Sequence, residues 1–235
     1  MKKRVLIVTV PKQDIVRPPG ILSILASCCK EADHDYDIFD LNLLMYNSLD
    51  QNLVKSIDVD FTNNKFSNPE HETQYLNICK KLQDKIESYQ PDVVAISVFT
   101  YCSILSTYTL IDYLKTFPGR QNYKIVLGGL GLNDPDPLFK TNNNFGDYCL
   151  MNNLADYAIF GEGEFAFIEL LRGNTEYPGI NQIPPKQIMD LNTLPVPDYE
   201  KVNPQNYYYS NEPELLVNRS RGCVRSCSFC DVGHY

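Results

Sequence analysis

Three cysteines stand at C-x3-C-x2-C spacing in the stretch "NRSRGCVRSCSFCDVGHY": Cys223, Cys227 and Cys230. With eight cysteines in 235 residues, such a triplet arises by chance in roughly one chain in a hundred, so the spacing asks for a chemical reason. Three thiolates in one short loop suit a soft metal centre. Zinc takes four ligands, usually as two separated pairs, and the nearby fourth candidate is His234. A 4Fe–4S cluster held by three cysteines leaves one iron open to a further ligand, and the cluster's own shape draws the thiolates together. The opening "MKKRVLIVTVPKQD" is too short in apolar length for a secretory leader, lacks a small-residue cleavage site, and reads as a first strand. A cytoplasmic location is therefore expected, and there clustered cysteines hold metal more often than they form disulfides.

The elements that must carry this loop alternate. Short apolar runs cover 4–10, 35–41, 92–99, 123–129 and 156–163, several of them nearly continuous, as strands buried on both faces require. Between them Ile21, Ile24, Leu25 and Cys28 repeat at helical spacing, as do Cys79, Leu82 and Ile86. Ile104, Tyr108 and Ile111 open another helix, and Phe165, Ile168 and Leu171 a fourth that Gly173 terminates. The alternation predicts an α/β fold with a doubly wound parallel sheet over residues 1–175. Within it, the Asn- and Asp-rich segment 42–73 reads as a polar surface excursion. Residues 176–213 carry seven prolines and read as an extended linker. Residues 214–235 read as one more strand, 214–222, leading into the cysteine loop.

Ligands of such sheets bind beyond the carboxyl ends of the strands. Those ends hold Ser97 and Thr100, which offer hydroxyls, and Gly128, Gly129, Gly131, Gly161 and Gly163, where a ligand could approach the backbone. "GGLGLN" follows a strand but lacks the dinucleotide-binding spacing. Cys28 and Cys79 lie on apolar helix faces and read as core, Cys29 and Cys149 have no ligand spacing, and Cys102 reads as a buried thiol at a strand end. His34 falls in the turn between the first helix and second strand, at the opposite edge, and His71 in the polar excursion.

A net charge of −8 argues against nucleic acid or an anionic membrane as partner, and no apolar run reaches the roughly 20 residues of a membrane span. Apolar content of 43 % with 21 % charged residues fits a folded domain with a real core.

The stretch "SRGCVRSCSFCDVG" resembles the signature of the radical S-adenosylmethionine superfamily. The series "PPGILSILASCCKEADHDYDIFDLN", "VLGG", "FGEGE" and "LPVPDY" before it resembles the members with an N-terminal cobalamin-binding domain, over essentially the whole chain. That resemblance implies a Rossmann-like cobalamin-binding fold, a linker, and the first strand and cluster loop of an incomplete barrel. It implies Cys223, Cys227 and Cys230 as cluster ligands, with Phe229 near the adenine of S-adenosylmethionine and Arg221 and Gly222 as the "RGC" lead-in. Ser97, Thr100, Gly128, Gly129, Gly161 and Glu162 are the positions it implies for cobalamin, without a histidine on cobalt because the D-x-H-x-x-G loop is missing.

The implied chemistry is methyl transfer to an unactivated carbon of a small molecule or peptide through a 5′-deoxyadenosyl radical, with a reductant such as flavodoxin or ferredoxin. Relatives of this layout also perform cyclisations or rearrangements. A methylthiotransferase-like enzyme, which needs a second cysteine triad in its front domain, and a non-catalytic cobalamin-binding or split-enzyme module are the alternatives. With the cysteines this near the last residue, a complete barrel is not expected from these 235 residues. The chain alone is then expected to be inactive, with a second chain as a possible source of the barrel.

Overall fold

The computed structural model describes residues 2–13, 15–139, 141–208, 214–217 and 220–221. Among these residues five strands form one sheet in the order β2–β1–β3–β4–β5, every pairing within it parallel. They are β1 (Arg4–Thr9), β2 (Asp35–Asp40), β3 (Val93–Ser97), β4 (Lys124–Gly128) and β5 (Tyr157–Ile159). Each lies within one of the apolar runs, and the α/β doubly wound fold is the one expected from them. Among the described residues seven α-helices flank the sheet: α1 (Gly20–Glu31), α2 (Leu41–Ser48), α3 (Gln51–Thr62), α4 (Pro69–Tyr89), α5 (Ile104–Lys115), α6 (Phe145–Met151) and α7 (Glu164–Arg172).

Because strand side chains alternate, the sheet divides its apolar residues between two cores. Leu6, Val8, Val94, Ile96, Ile125 and Leu127 face α2 to α6 and join the larger core. Val5, Ile7, Val93, Ala95 and Val126 face α1 and α7. The winding reverses between β1 and β3, and among the described residues the helices on one face are α1 and α7, which pack together over it. A crevice at such a reversal is where open parallel sheets take ligands.

Segment 42–73 is not a polar excursion. It contains most of α2, all of α3 and the first turn of α4. Its Asp and Asn residues are helix caps: Asp50 accepts from the Asn52 N–H at 2.8 Å, and Asn68 from the Glu70 N–H at 2.9 Å, with Pro69 in the first turn. The apolar stripe Val54, Ile57 and Phe61 is fully buried, and Phe61 meets Tyr75 edge to face at 5.1 Å. Capping residues mimic loop composition because both supply side-chain oxygens to free backbone N–H groups.

Residues 174–208 hold no strand or α-helix, only short 3-10 turns at Leu191–Thr193 and Pro204–Asn206. This stretch crosses α1 and the β2 edge. The Asp198 N–H donates to the Ser23 carbonyl at 2.9 Å, Lys30 pairs with Asp198 at 2.8 Å, and the Tyr207 hydroxyl donates to Asp40. The strand expected at 214–222 is not formed in its described residues, 214–217 and 220–221.

Candidate functional site

A cavity of about 460 Å³ opens at the carboxyl ends of β3, β4 and β5, between α1 and α7. That lies within the roughly 300–1,000 Å³ of small-ligand sites. The space is cut by a taper in side-chain size. On this face β3 runs Val93, Ala95, Ser97 and β4 runs Val126, Gly128, so the walls recede toward the carboxyl end. Ile21, Ile24, Leu25 and Phe167 form the apolar sides, and half-exposed Phe99 and Leu130 stand at the rim.

The helical repeat of α1 serves two purposes. Of the stripe Ile21, Ile24, Leu25 and Cys28, the first three line the cavity and only Cys28 is fully buried in the core. Leu22 and Ala26 do the core packing on the neighbouring side of the helix.

Ser97, Gly128, Gly129, Gly161 and Glu162 all line the cavity, whereas Thr100 is not among its walls. The two adjacent glycines do different jobs. Gly129 has φ 112°, and a Cβ there would sit 2.4 Å from the Val98 carbonyl oxygen, so it serves the close passage of two chain segments. A Cβ on Gly128 would find nothing nearer than 3.9 Å, which makes its missing side chain a piece of the cavity itself.

Charge gathers at one end. Glu164, in the first turn of α7, is 8 % exposed, and its Oε1 accepts from the Arg221 guanidinium. Arg221 also pairs with Glu162 at 3.5 Å, and the other Glu162 oxygen accepts from the Ile188 N–H. The Glu164 hydrogen bond, with the two carboxylate charges, raises the Arg221 pKa and holds the guanidinium charged. Glu164 Oε2 and Gln13 Nε2 are buried at the cavity without a partner among the described residues. Gln13 had no motif to mark it, whereas Glu164 is the last residue of "FGEGE", from which only Gly161 and Glu162 were singled out for the site. Its place in the first turn of a helix, whose N-terminus favours an acidic residue, is a second local sign.

The remaining candidates lie elsewhere. The His34 ring bonds the Leu171 carbonyl at 2.9 Å, and His71 Nδ1 meets buried Asp60 at 2.6 Å; neither lines the cavity. Cys28, Cys29, Cys79 and Cys149 are buried free thiols, whereas Cys102 is half-buried rather than buried. Burial, reinforced by Glu164, pushes the Cys28 thiol up to about 12, and burial raises the other three as well. Among the described residues no group of three His, Cys, Asp or Glu side chains forms a metal site. Cys223, Cys227, Cys230 and Phe229 lie outside the described residues. No helix among the described residues is long and apolar enough to cross a membrane.

Fold and site together define an open, doubly wound parallel α/β domain with a mostly apolar crevice at the strand ends. No family model matches the sequence. The chain is similar to an uncharacterized methyltransferase of Pyrococcus horikoshii, 27 % identical over 161 residues, which cover 62 % of this chain and 32 % of that protein. It spans about a third of the length of that relative. Among solved structures, it is similar to the radical S-adenosylmethionine methyltransferase TsrM from Kitasatospora setae with cobalamin and a [4Fe-4S] cluster bound. That match has TM-score 0.49 and 14 % identity, covering 84 % of this chain and 31 % of the other. It is also similar to a cobalamin-binding protein from Desulfitobacterium hafniense DCB-2, with TM-score 0.39 and 15 % identity over 73 % of this chain and 58 % of that one.

Proposed function

We propose that this chain is the cobalamin-binding front part of a radical S-adenosylmethionine enzyme that transfers a methyl group to an unactivated carbon. The observation that carries the reading is the tapered cavity at the strand ends, with the arginine that leads into the cysteine triplet on its wall. The donor set of Cys223, Cys227 and Cys230 suits a 4Fe–4S cluster that keeps one iron open. The description of the Pyrococcus relative as a methyltransferase supports the same reading.

The residues present fit part of a corrinoid. The slot between α1 and α7 has apolar sides, Ile21, Ile24, Leu25 and Phe167, which would hold a flat tail of such a ligand. The open space at Gly128 is where such a tail would pass closest to the backbone. Ser97 offers a hydroxyl within the slot. No histidine is among the described residues that line it. When bound, cobalamin would supply a cobalt-borne methyl group, and the cluster with S-adenosylmethionine the radical that makes a carbon receptive to it.

Titration with hydroxocobalamin tests the first half. At 100 times the dissociation constant the domain should gain about 2.7 kcal/mol, visible as a raised melting temperature. An unchanged melt would sink the cobalamin assignment. Anaerobic reconstitution with iron and sulfide tests the second half. Charge-transfer absorbance should form on the wild-type chain and be lost in Cys227→Ala; absorbance surviving that substitution would remove the cluster from these thiols.

A further inference from the structure

The cavity has apolar sides, yet two polar side-chain atoms are buried at it with nothing to bond. Gln13 Nε2 and Glu164 Oε2 have no partner among the described residues, and both side chains line the cavity. Other buried polar side chains are paired: Asn64 Oδ1 accepts from the Leu105 N–H at 3.1 Å, and the Tyr75 hydroxyl donates to the Ser106 carbonyl at 3.1 Å. The unpaired buried hydroxyls of Tyr89 and Tyr123 lie away from the cavity. An unpaired polar atom is costly to bury, and most so on a charged group. What sets Gln13 and Glu164 apart is open space beside them that a ligand could fill.

Both residues are fixed from behind. Gln13 follows β1 on a turn held at three successive residues. The Pro11 carbonyl accepts from buried Ser103 Oγ at 3.0 Å. Lys12 has φ 79°, in the left-handed region that residues other than glycine seldom adopt. The Gln13 carbonyl accepts from Nδ2 of fully buried Asn42 at 3.1 Å. Glu164 sits in the first turn of α7 with 9 % of its side chain exposed, and its Oε1 is taken by Arg221. Two carboxylates, Glu162 and Glu164, face that one guanidinium, which leaves this end of the cavity a surplus of negative charge. A free acceptor there asks for a donor that is not anionic, and a free amide N–H asks for an acceptor. A primary carboxamide supplies both from one small neutral group.

We propose that Gln13 and Glu164 are specificity-determining residues that take a primary carboxamide of the ligand: Gln13 Nε2 donates to its carbonyl and Glu164 Oε2 accepts from its amino group. The cavity then admits a flat ligand bearing a neutral amide and rejects the matching carboxylate. Buried polar groups that only the right ligand can pair discriminate strongly against analogues that leave them bare. This selection holds for any occupant of the cavity. It rests on the cobalamin reading only in the use of hydroxocobalamin, a carboxamide-bearing corrinoid, as one probe.

The test uses the whole 235-residue chain as wild type, Gln13→Met, Glu164→Gln and Glu162→Gln. Benzamide and benzoate, flat ligands of one shape, are titrated near neutral pH against the Ser97 and Gly128 amides by NMR, and hydroxocobalamin by absorbance. Wild type should bind benzamide at least about tenfold more tightly than benzoate. Gln13→Met should lose about tenfold in affinity for benzamide and for hydroxocobalamin. Its ligand-free melting temperature should stay at or above the wild-type value, because the unpaired atom is gone. Glu164→Gln should narrow the preference for benzamide to within about threefold. Glu162→Gln should leave benzamide affinity within about twofold of wild type, because both Glu162 oxygens already have partners. If Glu164→Gln does not fold, the wild-type preference and Gln13→Met decide alone. Benzamide that fails to bind wild type or binds no better than benzoate would overturn the proposal. So would a Gln13→Met that melts lower than wild type or binds benzamide as wild type does. If benzamide behaves as stated and hydroxocobalamin does not bind, the amide site stands and the cobalamin reading falls. If hydroxocobalamin binds wild type and Gln13→Met alike while benzamide fails, the cobalamin reading stands and the amide site falls.

Discussion

On the face of the sheet beneath α2 to α6, side chains stay large to the carboxyl end: Val94, Ile96 and Val98 along and just beyond β3, Ile125 and Leu127 on β4. On the opposite face the same two strands shrink as they run, through Val93, Ala95 and Ser97 and through Val126 and Gly128. One face is closed by five helices, with Phe61, Tyr75 and Phe145 fully buried. The other is covered by two helices that leave a slot. The same strands serve both purposes because alternate residues answer to different neighbours. The cavity is thus written in every second residue, and it opens at the carboxyl ends of the strands, the end of an open parallel sheet where ligands bind.

The sharpest way to break this contrast is to open the closed face. Phe61→Ala removes a ring with no exposure that contacts both Tyr75 and Phe66. It should cost about 3–5 kcal/mol in urea unfolding. A cost below about 1 kcal/mol would mean that α3 is peripheral, as its composition first suggests.

Next in size is Gly129→Ala. The added Cβ would meet the Val98 carbonyl at 2.4 Å in a backbone with φ 112°. Strain and overpacking together should cost about 3 kcal/mol, measured by thermal and urea unfolding.

The amino-terminal edge of the sheet, where no ligand site is expected, gives a third test. Burial alone would raise the Asp156 pKa, but hydrogen bonds from the Ile125 N–H, Lys124 and Arg120 outweigh it and leave the carboxyl below its usual value. A depressed carboxyl contributes stability above its unfolded value of about 4 and loses it as pH falls through the lower folded value. Asp156→Asn should therefore cost about 2 kcal/mol at neutral pH. Its deficit against wild type should shrink toward zero as pH drops below about 4. A deficit that stays constant with pH would assign Asp156 a role other than its charge.

What was readable in advance follows from how local each signal is. The five strands were legible because near-continuous apolar runs have no other use in a chain of this charge. The helices α2 and α3 were not, because their caps Asp40 and Asp50 look like loop residues until the buried stripe behind them is counted. The α1 stripe was legible as a pattern but not as a purpose, since an apolar face meets a protein core or a ligand with the same spacing. The contact between Arg221 and Glu164 spans 57 residues and leaves no trace in either neighbourhood.

The smallest effect on stability should come from Gly128→Leu, and it is the most informative about the open face. Gly128 and Gly129 are indistinguishable as a dipeptide, yet a Cβ on Gly128 would have 3.9 Å of clearance where one on Gly129 would have 2.4 Å. A leucine at 128 should enter the slot, change unfolding free energy by less than about 1 kcal/mol, and leave the fold intact. It should weaken hydroxocobalamin binding at least about tenfold, a difference of about 1.4 kcal/mol in an absorbance titration. Because the larger side chain would occupy the volume the taper leaves free, binding and stability must respond in opposite proportion at these two neighbours. If Gly128→Leu unfolds the domain as Gly129→Ala does, the slot is tightly filled space and not a ligand site. If it folds and binds hydroxocobalamin as wild type does, the corrinoid does not use the slot.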